Sequence, residues 1–311
     1  MKTYIHLFTA LLFSSIGIES IAQQDPMYTH YMYNTLSINP AYAGSRDALT
    51  ITGLHRSQWV DFKGAPMTQT LTVHSPIANK HIGLGLGVTN DRIGPVNNTS
   101  FMGSFAYRMQ LTKKSKLALG LSGGVSLLQA NLTNLQLDQQ YDVSFQNNLS
   151  NRTTPIFGVG VYYSRDRFYA GVSVPNLIQS DYSTIQSGAI VTGQSHRHYF
   201  LTLGGVIKMG EDLDFKPTTM VKMTDGAPLQ ADVTASFIIR DKLLLGAMVR
   251  TGDAVGALVG FNITDQFHLG YSFDWSYGLR TAKYNQGSHE IVLRYDFIFG
   301  SKNQIHSPRY F

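Results

Sequence analysis

The chain has no cysteine, so neither disulfides nor thiolate-bound zinc or iron–sulfur centres are open to it. Charge is scarce. Asp, Glu, Lys and Arg make up 14% of the residues, against roughly 25% in soluble domains. The net charge of +5 is spread along the chain with no basic run, which excludes the electrostatic footprint of a nucleic-acid-binding protein. After the first residues no stretch offers about 20 continuous apolar side chains, so no membrane-spanning helix is expected. Aromatics (12%) and glycine (29 residues) are plentiful instead. Low charge with many aromatics and glycines suits a β-barrel in a membrane.

The N-terminus points the same way. Lys2 is followed by a mostly apolar run from Ile5 to Ile18, and Ser20-Ile21-Ala22 supplies a small-x-small cleavage pattern. Residues 1–22 therefore read as a secretory signal peptide. Residues 23–48 read as a folded N-terminal arm at the periplasmic mouth or within the lumen. Within it Tyr28, Tyr31, Met32 and Leu36 could share one face of a short helix, with Asp25 as its cap and Pro26 at its first position. Asn39-Pro40 would end it.

From Leu49 to about residue 300 apolar and polar residues alternate. The stretch His289–Phe299 is the clearest case. Ile291, Leu293, Tyr295, Phe297 and Phe299 fall on one face, and Glu290, Arg294 and Asp296 on the other. About 14 such segments alternate short turns with longer connections, among them 57–66, 90–95, 129–154, 175–195 and 277–287. The fold class is therefore all-β, a transmembrane antiparallel barrel of about 14 strands with a short N-terminal arm. An even count puts both termini on one side, the periplasm, and leaves residues 301–311 as a C-terminal periplasmic tail.

In such a barrel one face meets lipid and the other lines the interior. Arg or Lys facing lipid near the midplane costs roughly 2–4 kcal/mol. Arg56, Arg108, Lys208, Lys216, Lys222, Asp232, Arg240, Arg250, Asp274, Glu290, Arg294 and Asp296 therefore belong to the lumen face. They would serve either as selectivity charges of an open pore or as ion pairs tying the wall to the arm.

Motifs that imitate active sites fail on context. Gly83-Leu84-Gly85-Leu86-Gly87 has no following helix and no Lys-Ser/Thr pair, so it is no phosphate loop. Glycines there make room for other contents of the lumen. Gly120-Leu121-Ser122-Gly123-Gly124 matches G-x-S-x-G, but inside a strand and not at a strand-to-helix turn. His196 and His198 lack a third metal ligand. No catalytic residue, metal site or cofactor is expected, and the chain does not read as an enzyme.

Several blocks carry a more specific signal. They are QQDPMYTHYMYNTLSINPAYAG (23–44), HRSQWVDFKGAPMTQTLTVHSP (55–76), DRIGP (91–95), FKPTTMVKMTDGAPLQADVTASFIIRDKLLLGAMVR (215–250), DAVGALVGFNIT (253–264), YNQGSHEIVLRYDF (284–297) and SPRYF (307–311). Together they resemble the PorP/SprF family of Bacteroidota outer-membrane proteins, and they span nearly all of the mature chain. The resemblance implies an outer-membrane component of the type IX secretion system. Its implied partners are membrane lipid, periplasmic secretion components and a secreted cargo such as a large gliding adhesin. Trp59, Phe62, Tyr182, Tyr277 and Tyr284, all in the long connections, are the candidate anchors for cargo, since aromatics dominate binding hot spots; the alternative is that they form the girdle at the membrane interface. The competing reading is a passive porin for small solutes.

Overall fold

The computed structural model describes residues 26–77, 80–133, 148–179, 184–186, 189–191, 196–278 and 285–298. The segment read as a signal peptide (1–22), Asp25, Tyr182, Tyr284, Phe299 and residues 301–311 lie outside the described residues.

Among the described residues seventeen strands follow the arm. In order they are β1 (Leu49–Ser57), β2 (Met67–Ile77), β3 (Ile82–Ile93), β4 (Val96–Thr112), β5 (Ser115–Ala130), β6 (Leu149–Arg165), β7 (Phe168–Val174), β8 (Thr184–Gln186), β9 (Ala189–Val191), β10 (His198–Gly205), β11 (Ile207–Lys208), β12 (Leu213–Thr224), β13 (Gln230–Ile239), β14 (Leu243–Arg250), β15 (Ala254–Asn262), β16 (Phe267–Ser276) and β17 (Ser288–Phe297). β8 and β9 form a separate hairpin, and β11 is a two-residue strand beside β12. The other 14 form one antiparallel ring. β1 pairs with β17, from Leu49↔Phe297 to Ser57↔His289, and β10 bridges β7 to β12. Closure leaves no open edge within the wall, the condition for a β-structure to cross lipid.

The ring has a turn end and a loop end. Residues 78–81, 113–114, 166–167, 206–212, 240–242 and 263–266 connect strands at the turn end. Residues 58–66, 131–148, 175–197 and 277–287 connect them at the loop end. The arm enters β1 and β17 finishes at the turn end. Two connections differ from the sequence reading, and one of them, 129–154, narrows to 131–148 because β6 begins at Leu149. Residues 90–95 were expected to form a loop, yet β3 and β4 run on together to a tight turn at Gly94-Pro95. Side chains hold this polar extension: Thr68 Oγ1 donates to Asp91 at 2.6 Å, and Asn90 Nδ2 donates to Asn97 and Thr99, each at 2.8 Å.

The two faces of the wall differ as period-2 patterning requires. Leu86, Phe105, Leu121, Phe157, Val172, Val233, Leu245, Phe261 and Leu293 are exposed on the outer face, forming an apolar belt. On the inner face β17 buries Glu290, Val292, Arg294 and Asp296, and β1 buries Thr50, Thr52, Leu54 and Arg56. No helix among the described residues is long and apolar enough to span a membrane, as expected of a chain that crosses with strands.

The lumen is filled by the arm. Tyr28, Tyr31, Met32, Tyr33 and Ile38 pack against inward Leu54, Phe200, Met220, Met248, Leu258 and Val292. Leu36, Ala41, Tyr42 and Ala43 pack against Ala106, Ala118, Tyr162 and Tyr169. The arm is not the α-helix its sequence suggests. It is a run of turns with two 3-10 segments, Thr35–Ser37 and Pro40–Tyr42. Pro40 opens the second segment, where its missing N–H is harmless, and Asn39 Oδ1 accepts from the Ala41 N–H at 3.0 Å.

Candidate functional site

The structure gathers its buried charge where the arm meets the wall. Glu290 of β17 is the centre of the largest group. Its carboxylate accepts the backbone N–H groups of Thr29 (2.9 Å) and His30 (2.6 Å), lies 2.9 Å from His30 Nδ1, and accepts from Arg56 Nη1 at 3.2 Å. Arg56 also pairs with Asp274 at 2.8 Å, and Thr29 Oγ1 donates to Asp274 at 2.6 Å. Arg250 extends the line, pairing with Asp232 at 2.8 Å through Nη2 and 2.9 Å through Nε. The result is an alternating row, Asp232, Arg250, Asp274, Arg56, Glu290, across five strands, with the first turn of the arm bonded to its end.

The base of the arm is fixed at two further points. Arg46 makes a two-pronged contact with Asp296, Nε at 3.0 Å and Nη2 at 2.8 Å, and Thr50 Oγ1 donates to the same carboxylate at 2.7 Å. Asp47 takes Arg108 at 2.6 Å and Lys116 at 2.7 Å. Burial alone would raise the pKa of the Asp47 carboxyl; Arg108 and Lys116 outweigh it and hold the group below its ordinary value. Neutral bonds complete the docking. Tyr31 donates to Thr218 at 3.0 Å, Ser173 donates to the Ile38 carbonyl at 2.6 Å, Asn39 Nδ2 donates to the Val161 carbonyl at 3.1 Å, and the Gly44 N–H donates to His74 at 3.1 Å.

Close approach of backbones explains two glycines. A methyl group on Gly83 would overlap the Ala43 carbonyl, and one on Gly120 would overlap the backbone of Ala41. Gly83, Gly85 and Gly120 of the two motifs that imitate active sites thus lie where the arm touches the wall. Ser122 sits inside β5, paired with Ser104 and Gly158 on its neighbours and buried on the inner face. It is on no strand-to-helix turn, so its motif is not a nucleophile elbow. Among the described residues no group of three or more His, Asp or Glu could hold a metal ion.

Of the charges assigned to the lumen from sequence, Arg56, Arg108, Lys216, Lys222, Asp232, Arg250, Asp274, Glu290, Arg294 and Asp296 are all buried. Two depart from the expectation. Arg240 would face inward by parity with Asp232, but β13 stops at Ile239 and the chain reverses through Arg240 and Asp241 at positive φ. Arg240 is 75% exposed and reaches only Asp212, at 3.3 Å. Lys208, on the short β11 at the turn end, is also exposed. Conversely, sequence reasoning did not single out Thr29, His30, Arg46 or Asp47, the arm's own half of the contacts. The adjacent Arg46-Asp47 pair in an arm otherwise poor in charge was the available signal.

The described aromatic candidates, Trp59, Phe62 and Tyr277, lie at the loop end. Trp59 and Phe62 meet edge to face at 6.5 Å, and Phe62 is 39% exposed. Their loop is pinned to the β16–β17 connection: the Val60 N–H donates to the Gly287 carbonyl at 2.9 Å and the Gln286 N–H to the Val60 carbonyl at 3.0 Å. Tyr277 is 53% exposed, with its hydroxyl donating to the Arg250 carbonyl at 3.1 Å. The structure thus brings Trp59 and Phe62 together and holds Tyr277 on a neighbouring connection.

A closed ring with an apolar outer belt, a charged inner face and an N-terminal arm packed inside it defines a membrane β-barrel. Residues 20–295 match the family model described as type IX secretion system membrane protein PorP/SprF, and the chain belongs to that family. Family and barrel together place it in the outer membrane. A comparison with curated proteins gave no match. Among solved structures the chain is similar to the Acinetobacter baumannii outer membrane protein Omp33 (10% identity, 82% of this chain and 100% of that one, TM-score 0.46). It is also similar to the CymD monoaromatic hydrocarbon channel (8%, 86% and 99%, 0.46) and to a Pseudomonas aeruginosa FadL homologue (10%, 85% and 94%, 0.45). These likenesses are too remote to carry a function.

Proposed function

We propose that this protein is a non-enzymatic, plugged outer-membrane component of the type IX secretion system that supports secretion or cell-surface attachment of a cargo protein such as a large adhesin. The observation that carries the reading is the filled lumen. A porin needs a water-filled path, and here the arm occupies the interior with buried aromatic and ion-paired side chains. The same filling weighs against the passive porin. Both termini are assigned to the periplasm, because short periplasmic turns and longer external loops are the usual asymmetry of such barrels. The arm's base and the tail 301–311 then face periplasmic secretion components. The loop end faces outward, and Trp59, Phe62 and Tyr277, with Tyr182 and Tyr284 on the same set of connections, are the proposed cargo contacts.

The test is a clean deletion, complemented with the wild-type gene or with a Trp59→Ser/Phe62→Ser double variant. Surface display of the cargo is followed by labelling intact cells. The deletion strain should lose displayed cargo. The double variant should reach the membrane in normal amounts yet restore display poorly. Normal display in the deletion strain would overturn the secretion role. Full restoration by the double variant would remove the aromatic pair from it.

A further inference from the structure

A cavity of about 180 Å³ lies at the turn end, between the base of the arm and the inner wall. Tyr33 and Arg46 of the arm line it, with Lys216 of β12, His268 of β16, and Arg294 and Asp296 of β17. Turns 240–242 and 263–266 form its rim. Its wall carries the basic groups Arg46, Lys216 and Arg294 and the carboxylate of Asp296, and its rim adds Arg240 and Lys242 together with Asp241 and Asp265.

The Asp296 carboxylate is already engaged. It takes Arg46 through two nitrogens and Thr50 through its hydroxyl. Arg294 reaches it only at 3.7 Å, too long for a hydrogen bond. The side chain of Arg294 is 6% exposed, and its Nε and Nη1 have no hydrogen-bond partner among the described residues. His268 Nε2 is in the same position. Both basic groups contact Tyr33, with the Lys216 ammonium 4.9 Å and the Arg294 guanidinium 5.0 Å from its ring centre, while His268 stacks on it at 4.3 Å. Cation–π contact offsets part of the cost of burying a charge but satisfies no N–H in the guanidinium plane.

We propose that this cavity binds a small oxyanion, a phosphate or carboxylate group, held by the in-plane N–H groups of Arg294 with Lys216 beside it. Guanidinium donates well to the oxygens of such groups, and buried N–H groups without a partner are the chemistry that selects them. The space suffices for the group and a few waters, each needing about 30 Å³. The anion would lie against Tyr33 and Arg46 of the arm as well as against the wall, so its binding would latch the plug in the barrel.

The purified full-length protein in detergent provides the test. Binding is followed by calorimetric titration with sodium phosphate and, separately, sodium acetate, and by the unfolding temperature at matched ionic strength in chloride. Wild type should bind one or both anions saturably at one per chain and unfold at higher temperature when they are present. Arg294→Met and Lys216→Met are tested independently, each first shown to be folded by its heat-modifiable migration on gels. Both should lose most of the saturable binding, while any general salt effect on stability persists in them. Phosphate alone would mark a tetrahedral ligand, and acetate alone a carboxylate. No saturable binding of either anion by wild type, or undiminished binding by both variants, would overturn the proposal.

Discussion

Replacing Glu290 with Ala isolates the contact that holds the tip of the plug. In the folded protein its carboxylate receives two backbone N–H groups of the arm, the His30 ring and Arg56, all without solvent exposure. The variant leaves the N–H groups of Thr29 and His30 without that acceptor, at about 1–3 kcal/mol each if they stay buried. It also leaves Arg56 with Asp274 as its remaining carboxylate, and breaking one side of a buried pair costs about 3–5 kcal/mol. These costs share one cavity and do not add fully, so a loss of about 4–6 kcal/mol in arm docking is expected. The barrel ladder contains none of the lost bonds, because β17 still pairs with β1 and β16 through its backbone. The effect should therefore appear as release of the arm and not as unfolding of the wall. The absence of native cysteine allows a clean assay. A single cysteine replacing Thr35, buried in wild type, should react with a bulky maleimide far faster in the Glu290→Ala background, while heat-modifiable migration remains. Equal, slow labelling in both backgrounds would refute the reasoning, since the arm would then be held without the carboxylate.

Three further outcomes are expected. Gly120→Leu forces a side chain into the backbone of Ala41 and should displace the arm by overpacking, worth at least 1–3 kcal/mol, with the same increase in maleimide labelling. Arg250→Ala should destabilise the folded protein by about 3–5 kcal/mol through the stranded Asp232, whereas Arg240→Ala, at an exposed surface pair, should change denaturant midpoints little; equal effects would contradict the assigned faces. Leu86→Arg, on the lipid face where Leu86 is 68% exposed, should lower stability in bilayers by roughly 2–4 kcal/mol if it lies near the midplane, read by urea titration of the vesicle-inserted protein.

Much of the wall is written in local alternation. In β17 the pattern alone separates Glu290, Arg294 and Asp296 from Ile291, Leu293 and Tyr295, and the structure places the two sets on opposite faces. Parity fails where the strand ends: Arg240 keeps the inward phase of β13 in sequence, but a reversal at positive φ carries it into solvent. The arm was legible as a folded, aromatic element and not in its conformation. Its Tyr and Met spacing fits a helix, yet the backbone N–H groups of Thr29 and His30 are taken by Glu290, some 260 residues away in sequence. No local pattern reveals such a partner. The glycines of β3 and β5 were readable as space for lumen contents, but which atoms fill that space depends on the path of the arm.

The plugged lumen is the central claim, and conductance in planar bilayers tests it most directly. Wild-type protein should show no steady channel, whereas a variant lacking residues 26–47 should insert as a barrel and conduct. Long-lived openings of the wild type as large as those of the variant would contradict the claim and return the protein to the porins.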